Sequence, residues 1–536
     1  MTEQVGSRVF LLVEDFEMMR GVLRGHLSRC GAQRVDAAPN ARDAINLLRK
    51  NKYDVVLCDY NLGPGKNGQM LLEEARHNEW ISPAAVWIMI TAEKSNDMVS
   101  VAAEQAPDDY LLKPITEATL QTRIQKLMER KASLAGIVSA MKAYDYRRAL
   151  QLCGEQLAQG SKNTADVLRL QAQLYQLSGE ADKARAVYEA ILQRAPIPWA
   201  KLGLARLHLQ AKKLTAARGL LEEIVRDHPQ YLDAYDCLAE VLASQGQIDR
   251  ELMVLQQAAH ISPNSAVRQS ALGHAALQQG NRDLAMQSFK RSIKLSEHSS
   301  IENPEPYLGL ARAHSEAGAP AEALQVIAEL RRKAESRDSR LLARTEELRA
   351  HQAAGNADGV AVAMKDIREH TQCGAVPLTP GMALRVAETL MQAGQRDDAT
   401  QLLLVVTRNN HDDDVLLRRV QNVFDRAGMG EAGRELLLAA RKQATESMSE
   451  GVRLMAQGKL TAAVEAMRAA AAAMPQNARV LLNFAAISIT SLEKQGWSRP
   501  LEEEARTAIE TARTLRPDDP RGLELLERMA KADPSS

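Results

Sequence analysis

Glu14 and Asp15 follow the apolar run VFLLV, Asp59 follows VVLC, Thr91 follows AVWIMI, and Lys113 follows DYLL. Carboxylates gathered in one crevice repel each other, and such a cluster is tolerated mainly around a hard cation with oxygen ligands. Magnesium fits best, because it holds octahedral geometry with few carboxylates and several waters, leaving positions for phosphoryl oxygens. A carboxylate beside that ion can attack phosphorus as a nucleophile and become an acyl phosphate. Asp59 stands alone after its run and is the expected nucleophile, whereas the adjacent Glu14 and Asp15 suit metal holding. Lys113 can neutralise an equatorial phosphoryl oxygen as a compact cation, and the Thr91 hydroxyl can donate to another. Each of these residue types is common singly as a helix cap or a solvated loop residue. It is their joint occurrence on one sheet edge that makes a site of them.

The elements that must position them can be read from hydrophobic pattern. Short runs rich in Val, Ile and Leu lie at 9–13, 55–58, 85–90 and 109–112, with a weaker run near Arg34 to Ala37. Amphipathic stretches at 16–29, 41–50, 68–77 and 117–130 alternate with them. Continuous apolar strands are the mark of a parallel sheet covered by helices on both faces. The expected fold of this region is an α/β doubly wound, five-stranded parallel sheet whose site lies at the carboxyl ends of the strands.

With these motifs in view, the first 130 residues resemble the receiver domain of bacterial two-component response regulators, a flavodoxin-like fold. In that family an acidic pair follows strand one, matched by Glu14 and Asp15, and the phosphorylated Asp ends strand three, matched by Asp59. A Thr or Ser ends strand four, matched by Thr91, and a Lys before a cis-Pro follows strand five, matched by Lys113 and Pro114. The resemblance implies that Asn61 gives its backbone carbonyl to the magnesium and that Tyr110 is the switch aromatic, turning inward as the threonine moves toward the phosphoryl group. It also implies a histidine kinase or a phosphotransfer protein as partner. The loop after Asp59, YNLGPGKNG, departs from the pattern: the family commonly has a proline two residues past the Asn61 position and a glycine one residue sooner than Gly68. The Gly63-Pro64-Gly65 segment is expected to reshape the loop over the site and to alter the lifetime of the phosphoryl group.

After residue 130 strand signals stop, and Ala, Leu, Gln and Arg recur with helical period. Gly179, Gly246 and Gly280 are separated by 67 and 34 residues, and Pro196, Pro229 and Pro263 by 33 and 34. A period near 34 with Gly between two helices and Pro after the second is similar to tetratricopeptide repeats. Tyr175, Gly179, Ala184, Tyr188 and Pro196 fill one such unit, Leu272, Gly273, Gly280, Ala285 and Phe289 another, and Trp199, Leu202 and Gly203 open a third. The expected organisation is a receiver over 1–130 and an all-α repeat region over 131–536, with units at 414–447 and 448–477 and an insertion around Glu493 to Pro500. Roughly ten hairpins would stack into a superhelical solenoid with a concave groove for a protein ligand. The last receiver helix, about 116–130, runs into Lys131 to Gly136 without a Pro- or Ser-rich linker, so the two parts are expected to be joined stiffly.

Lys+Arg and Asp+Glu balance at 68 each, which argues against a nucleic-acid or membrane-surface footprint. The five cysteines form no CxxC pair, pointing to a reducing compartment, the cytoplasm, and no stretch reaches the length that spans a bilayer. No Walker loop, dinucleotide fingerprint or nucleophile–histidine pattern is present, and the scattered histidines His208, His228, His260 and His274 suggest no metal. The chain is expected not to be an enzyme beyond its own phosphorylation and autodephosphorylation. Phosphorylation of Asp59 would bias the face formed by the fourth helix, fifth strand and fifth helix. It would thereby change how the repeats are presented, or whether the chain pairs with itself as a homodimer. An RNA- or DNA-binding regulator acting through the repeats, and a phosphate sink, are the alternatives.

Overall fold

The computed structural model describes residues 6–92, 106–372, 378–516 and 519–532. Residues 93–105, where the resemblance puts the fourth receiver helix, and Cys373 lie outside the described residues. The chain forms two compact units, residues 1–317 and 318–536.

In the first unit, strands β1 (Val9–Val13), β2 (Arg34–Ala38), β3 (Val55–Asp59), β4 (Val86–Thr91) and β5 (Asp109–Leu112) form one parallel sheet in the order β2-β1-β3-β4-β5. Helices α1 (Glu17–Arg29), α2 (Ala41–Lys50) and α3 (Gly68–His77) connect them, and α4 (Glu117–Lys142) follows β5. The strand residues divide by alternation, as a pleated ribbon must. Phe10, Leu12, Val55, Leu57, Ile88 and Ile90 pack with Leu23 and Leu27 of α1 and Leu120 and Ile124 of α4. Leu11, Val13, Val56, Cys58, Trp87 and Met89 pack with Ala44 and Leu48 of α2 and Leu71 and Leu72 of α3. Two apolar layers therefore sandwich the sheet, which explains strands without a polar face.

The expected helix end near residue 130 is not observed. α4 continues to Lys142, because the segment KASLAGIVSAMK contains no proline and only one glycine, Gly136, whose interior cost of about 1 kcal/mol a helix tolerates. Its first half buries Leu120, Ile124 and Leu127 against the sheet. Its second half buries Leu134 and Ile137 against Ala149, Cys153, Val167 and Leu174 of the first repeat helices. Each large aliphatic side chain so buried contributes roughly 1.5–3 kcal/mol, so one rod is anchored at both ends. The remaining helices of this unit, from Tyr146–Ala158 to Glu305–Glu316, pair as antiparallel hairpins. Aromatic side chains fit where glycine makes room: a Cβ on Gly203 would overlap the Tyr188 ring, and one on Gly273 or Gly309 would overlap Phe289.

The second unit holds helices from Pro320–Lys333 to Arg521–Ala532. The expected boundary between units at 447 and 448 is absent: one helix runs from Gly430 to Ala456, its middle lacking the glycine or proline that ends the others. It carries Gly433 against Phe424 and Gly451 against Met467. The expected insertion around 493–500 is the end of the helix Ala478–Gln495, a short turn, and the start of Arg499–Leu515. No described helix is long and apolar enough to cross a membrane.

Candidate phosphoacceptor site

The parallel order places the chain's reversal of direction between β1 and β3, since β2 lies on one side of β1 and β3 to β5 on the other. Open α/β sheets place their crevice at the carboxyl ends of strands flanking such a point. Val13 pairs with Cys58, Asp59 with Ile90 and Thr91 with Leu112, so the strand ends lie within one residue of a common level. Glu14, Asp15, Asp59, Thr91 and Lys113 are thus delivered to one edge. Glu14 is 1% exposed, Asp59 6% and Thr91 4%, whereas Asp15 faces solvent. Backbone bonds pin the loops: Tyr60 N donates to Ile90 O at 2.8 Å and Lys113 N to Thr91 O at 2.8 Å. The Lys113–Pro114 peptide is cis.

Lys113 Nζ donates to Asp59 Oδ2 at 2.6 Å and to Glu14 Oε2 and Oε1 at 2.9 and 3.2 Å. Carboxylate oxygens of Glu14, Asp15 and Asp59 all lie within 4.8 Å of one another. This all-oxygen, anionic donor set fits a hard divalent cation rather than a soft one. Burial raises the Glu14 carboxyl above the usual range, with the Lys113 hydrogen bond opposing and the Asp59 charge adding to the rise. Burial works against the Lys113 ammonium, but its bonds to Asp59 and Glu14 outweigh that and hold its pKa above the ordinary lysine value. The result is a fixed cation beside the one carboxylate on the central strand.

Residues 10–125 match the response regulator receiver domain, and residues 200–266 and 276–344 match tetratricopeptide repeats. Over 120 residues the chain is 34% identical to "Chemotaxis protein CheY-3" of Vibrio cholerae, spanning 22% of this chain and 91% of that one. It is 32% identical over 120 residues to "Chemotaxis protein CheY" of Pseudomonas aeruginosa, spanning 22% and 95%. This chain is a member of the response regulator family. Among solved structures it is similar to the receiver domain of Francisella response regulator 1452, at 23% identity and TM-score 0.21, over 23% of this chain and 98% of that one. It is also similar to a thermophilic TPR protein of Thermus thermophilus, at 29% identity and TM-score 0.27, over 33% and 96%.

Within this receiver, the residues expected from sequence fall in three groups. Glu14, Asp15, Asp59 and Lys113 meet directly. Asn61 is tied to the acceptor by its amide, which donates to Asp59 Oδ1 at 3.3 Å. Thr91 and Tyr110 stand on neighbouring strands of the same edge, Tyr110 opposite Met89. The Tyr110 hydroxyl is already enclosed, with no hydrogen-bond partner among the described residues, and burial pushes its pKa far up.

One residue of the receiver site, Arg20, went unremarked in the sequence, and Gly63, Gly65 and Gly68 were marked there by loop spacing alone. Arg20 of α1 donates to the carbonyls of Glu14 at 2.8 Å and Asp15 at 3.3 Å, holding the acidic turn in shape. Gly68 starts α3 so close to β3 that a Cβ there would overlap the Asp59 carbonyl. Gly63 and Gly65 adopt φ of 77° and 106°, so the lengthened loop spends its extra residue in a bend open to glycine and keeps Gly68 in place. The glycine spacing was a signal for Gly68. Arg20 is one of several basic residues on α1 and has no local mark.

Proposed function

We propose that a histidine kinase or phosphotransfer protein loads Asp59, and that the charge change governs protein–protein interactions of the repeats. The observation that carries this reading is the Lys113 ammonium held between Asp59 and Glu14 at a strand-end crevice. An Asp59 carboxylate oxygen attacks phosphorus of a phosphohistidine; the new O–P bond forms as the P–N bond breaks, and the electron pair leaves on the imidazole nitrogen, which takes a proton. Magnesium, held by Glu14, Asp15, Asp59 and the Asn61 carbonyl, would neutralise the non-bridging oxygens when bound. Lys113 orients the acceptor and balances charge on the transferring group, and Thr91 offers a hydroxyl donor. Hydrolysis returns the carboxylate and inorganic phosphate when water attacks phosphorus. This self-directed chemistry is the only catalysis in the reading.

The route to the repeats is α4. Asp109 pairs with Arg123 at 3.2 Å, and Lys131 pairs with Asp108 at 2.8 Å and donates to Pro83 O at 2.9 Å, so the two residues just before Tyr110 grip the helix. Arg130 adds a two-pronged pair with Asp166 on the repeat helix Thr164–Leu177, at 2.7 and 2.5 Å. A shift of β5 is thereby felt by a rod that also forms the first repeat helix. Buried free thiols at Cys30, Cys58, Cys153 and Cys237 suit a reducing compartment, and the bacterial cytoplasm is our assignment.

Labelling of the full chain and of Asp59→Ala with a phosphohistidine donor or acetyl phosphate, with magnesium present, tests the reading. Labelling of wild type alone supports it. Equal labelling of both, or labelling of neither, overturns it.

A further inference from the structure

An outer helix of a sandwich ordinarily keeps one face in solvent. Yet every residue of α3 from Gly68 to Arg76 is buried or half-buried. Close to its start, Lys66 Nζ donates to Ser300 Oγ at 3.0 Å, a contact between residues 234 positions apart. Ser300 belongs to the connection between the repeat helices Arg282–Leu295 and Glu305–Glu316. That connection spans 296–304, whereas the comparable ones at 228–231 and 262–265 are less than half as long. The repeats therefore meet the receiver twice within this unit, through α4 and at the lengthened loop after Asp59. Lys66 also pairs with Glu74, a buried carboxylate of α3.

The loop from Tyr60 to Asn67 contains no acidic residue, and Lys66 is its sole cation. The same loop passes the acidic cluster, where a Cβ on Gly63 would lie 3.7 Å from Asp15 Oδ2. Gly63 and Gly65, both at positive φ, bracket Pro64 and give the segment two pivots. A phosphoryl group on Asp59 adds negative charge and acceptor oxygens beside this loop. The Lys66 ammonium is attracted to a full negative charge by Coulomb's law, which a neutral hydroxyl does not match, so the new acceptors compete with Ser300 for Lys66.

We propose that Lys66 latches the phosphoacceptor loop to the 296–304 connection of the repeats, and that phosphorylation of Asp59 releases it. The proposal rests on the reading that Asp59 is phosphorylated, and adds a second output route independent of α4. Hydrogen exchange of the full chain, with magnesium and with or without beryllofluoride, tests both separately. Exchange in 296–304 is expected to rise roughly threefold to tenfold on adding beryllofluoride, the range set by one lost hydrogen bond. Ser300→Ala, with an unaltered melting temperature, is expected to reach that raised level without it, and Lys66→Ala to reach it as well while losing some stability because Glu74 is left unpaired. Slower exchange around Asp59 with no change in 296–304 overturns the latch and leaves the acceptor reading standing. No change around Asp59 overturns both.

Discussion

Lys113 Nζ lies closer to Asp59 Oδ2, at 2.6 Å, than to either oxygen of Glu14, at 2.9 and 3.2 Å. One ammonium thus holds two buried carboxylates at the end of the sheet, and it leans toward the acceptor. Lys113→Ala leaves those carboxylates facing each other without their cation. We expect a loss of roughly 1–3 kcal/mol, below the full cost of breaking a buried pair because the site opens on solvent. Hydrogen exchange of β1 and β3 in the full chain should report it, with magnesium restoring part of the protection. Unchanged exchange would show that Lys113 contributes nothing to the resting site.

Gly68→Ala should be costly out of proportion to one methyl group. Its Cβ meets the Asp59 carbonyl, with Met89 Sδ at 2.9 Å and Cys58 Sγ at 3.0 Å, so β3 or α3 must shift. Overpacking of this kind costs roughly 1–3 kcal/mol, and acetyl phosphate labelling should slow with it. Gly21→Ala is the control: nothing lies within 4 Å of its Cβ, and a helix-interior glycine replaced by alanine should gain roughly 0.5–1 kcal/mol. Equal melting temperatures for the two variants would refute the close-approach argument.

Ala132→Pro places a ring at an exposed position of α4, against the carbonyl of Met128, between its two anchored halves. The interior hydrogen bond is lost at a cost of about 3 kcal/mol. Labelling at Asp59 should survive, while any beryllofluoride-dependent change in exchange of Tyr146–Ala158 should disappear. Persistence of that change would mean α4 is not the conduit.

Two non-glycine residues, Tyr144 and Lys212, have φ of 57° and 59° at helix–helix turns, where Gly179, Gly246 and Gly280 adopt 69° to 87°. Lys212→Gly should raise stability by roughly 0.5–1 kcal/mol by relieving left-handed strain. Tyr144→Gly should gain less, because the Tyr144 ring packs edge-on against Tyr146 with centroids 6.3 Å apart. Calorimetric melting of the two variants checks the ranking, and a larger gain for Tyr144→Gly would contradict it.

Burial pushes the Cys153 and Cys237 thiols from an ordinary value of 9.0 to about 11. They should resist alkylation near pH 8 in the native chain and react at once in denaturant. Between those two values the folded state keeps protons that the unfolded chain releases, so stability should fall as pH rises from about 9 to about 11. Mass spectrometry after pulsed alkylation reads both effects. Rapid labelling of either thiol at pH 8 in native conditions would contradict the burial.

Much of the receiver was legible in local pattern. An apolar run long enough for a buried strand, ended by Asp59 or Thr91, marks both the element and the residue it delivers, because strand pattern and chain polarity are local properties. Glu14, Asp15 and Lys113 follow by the same rule. The spacing of Gly179, Gly246 and Gly280 likewise marks turns, since a left-handed φ is a demand on the residue itself. What stayed hidden depended on neighbours distant in sequence. The last receiver helix reads as ending near residue 130 until Leu134 and Ile137 find the first repeat to bury against. The enclosed Tyr110 hydroxyl and the Gly68–Asp59 approach depend on how closely α3 and β5 settle on the sheet. By itself the sequence determined which side chains could meet at the strand ends and that helical repeats follow them. Only the tertiary structure decided that α4 belongs to both parts and that Lys66 reaches Ser300, because those contacts arise from successive helix packings that no local window of sequence contains.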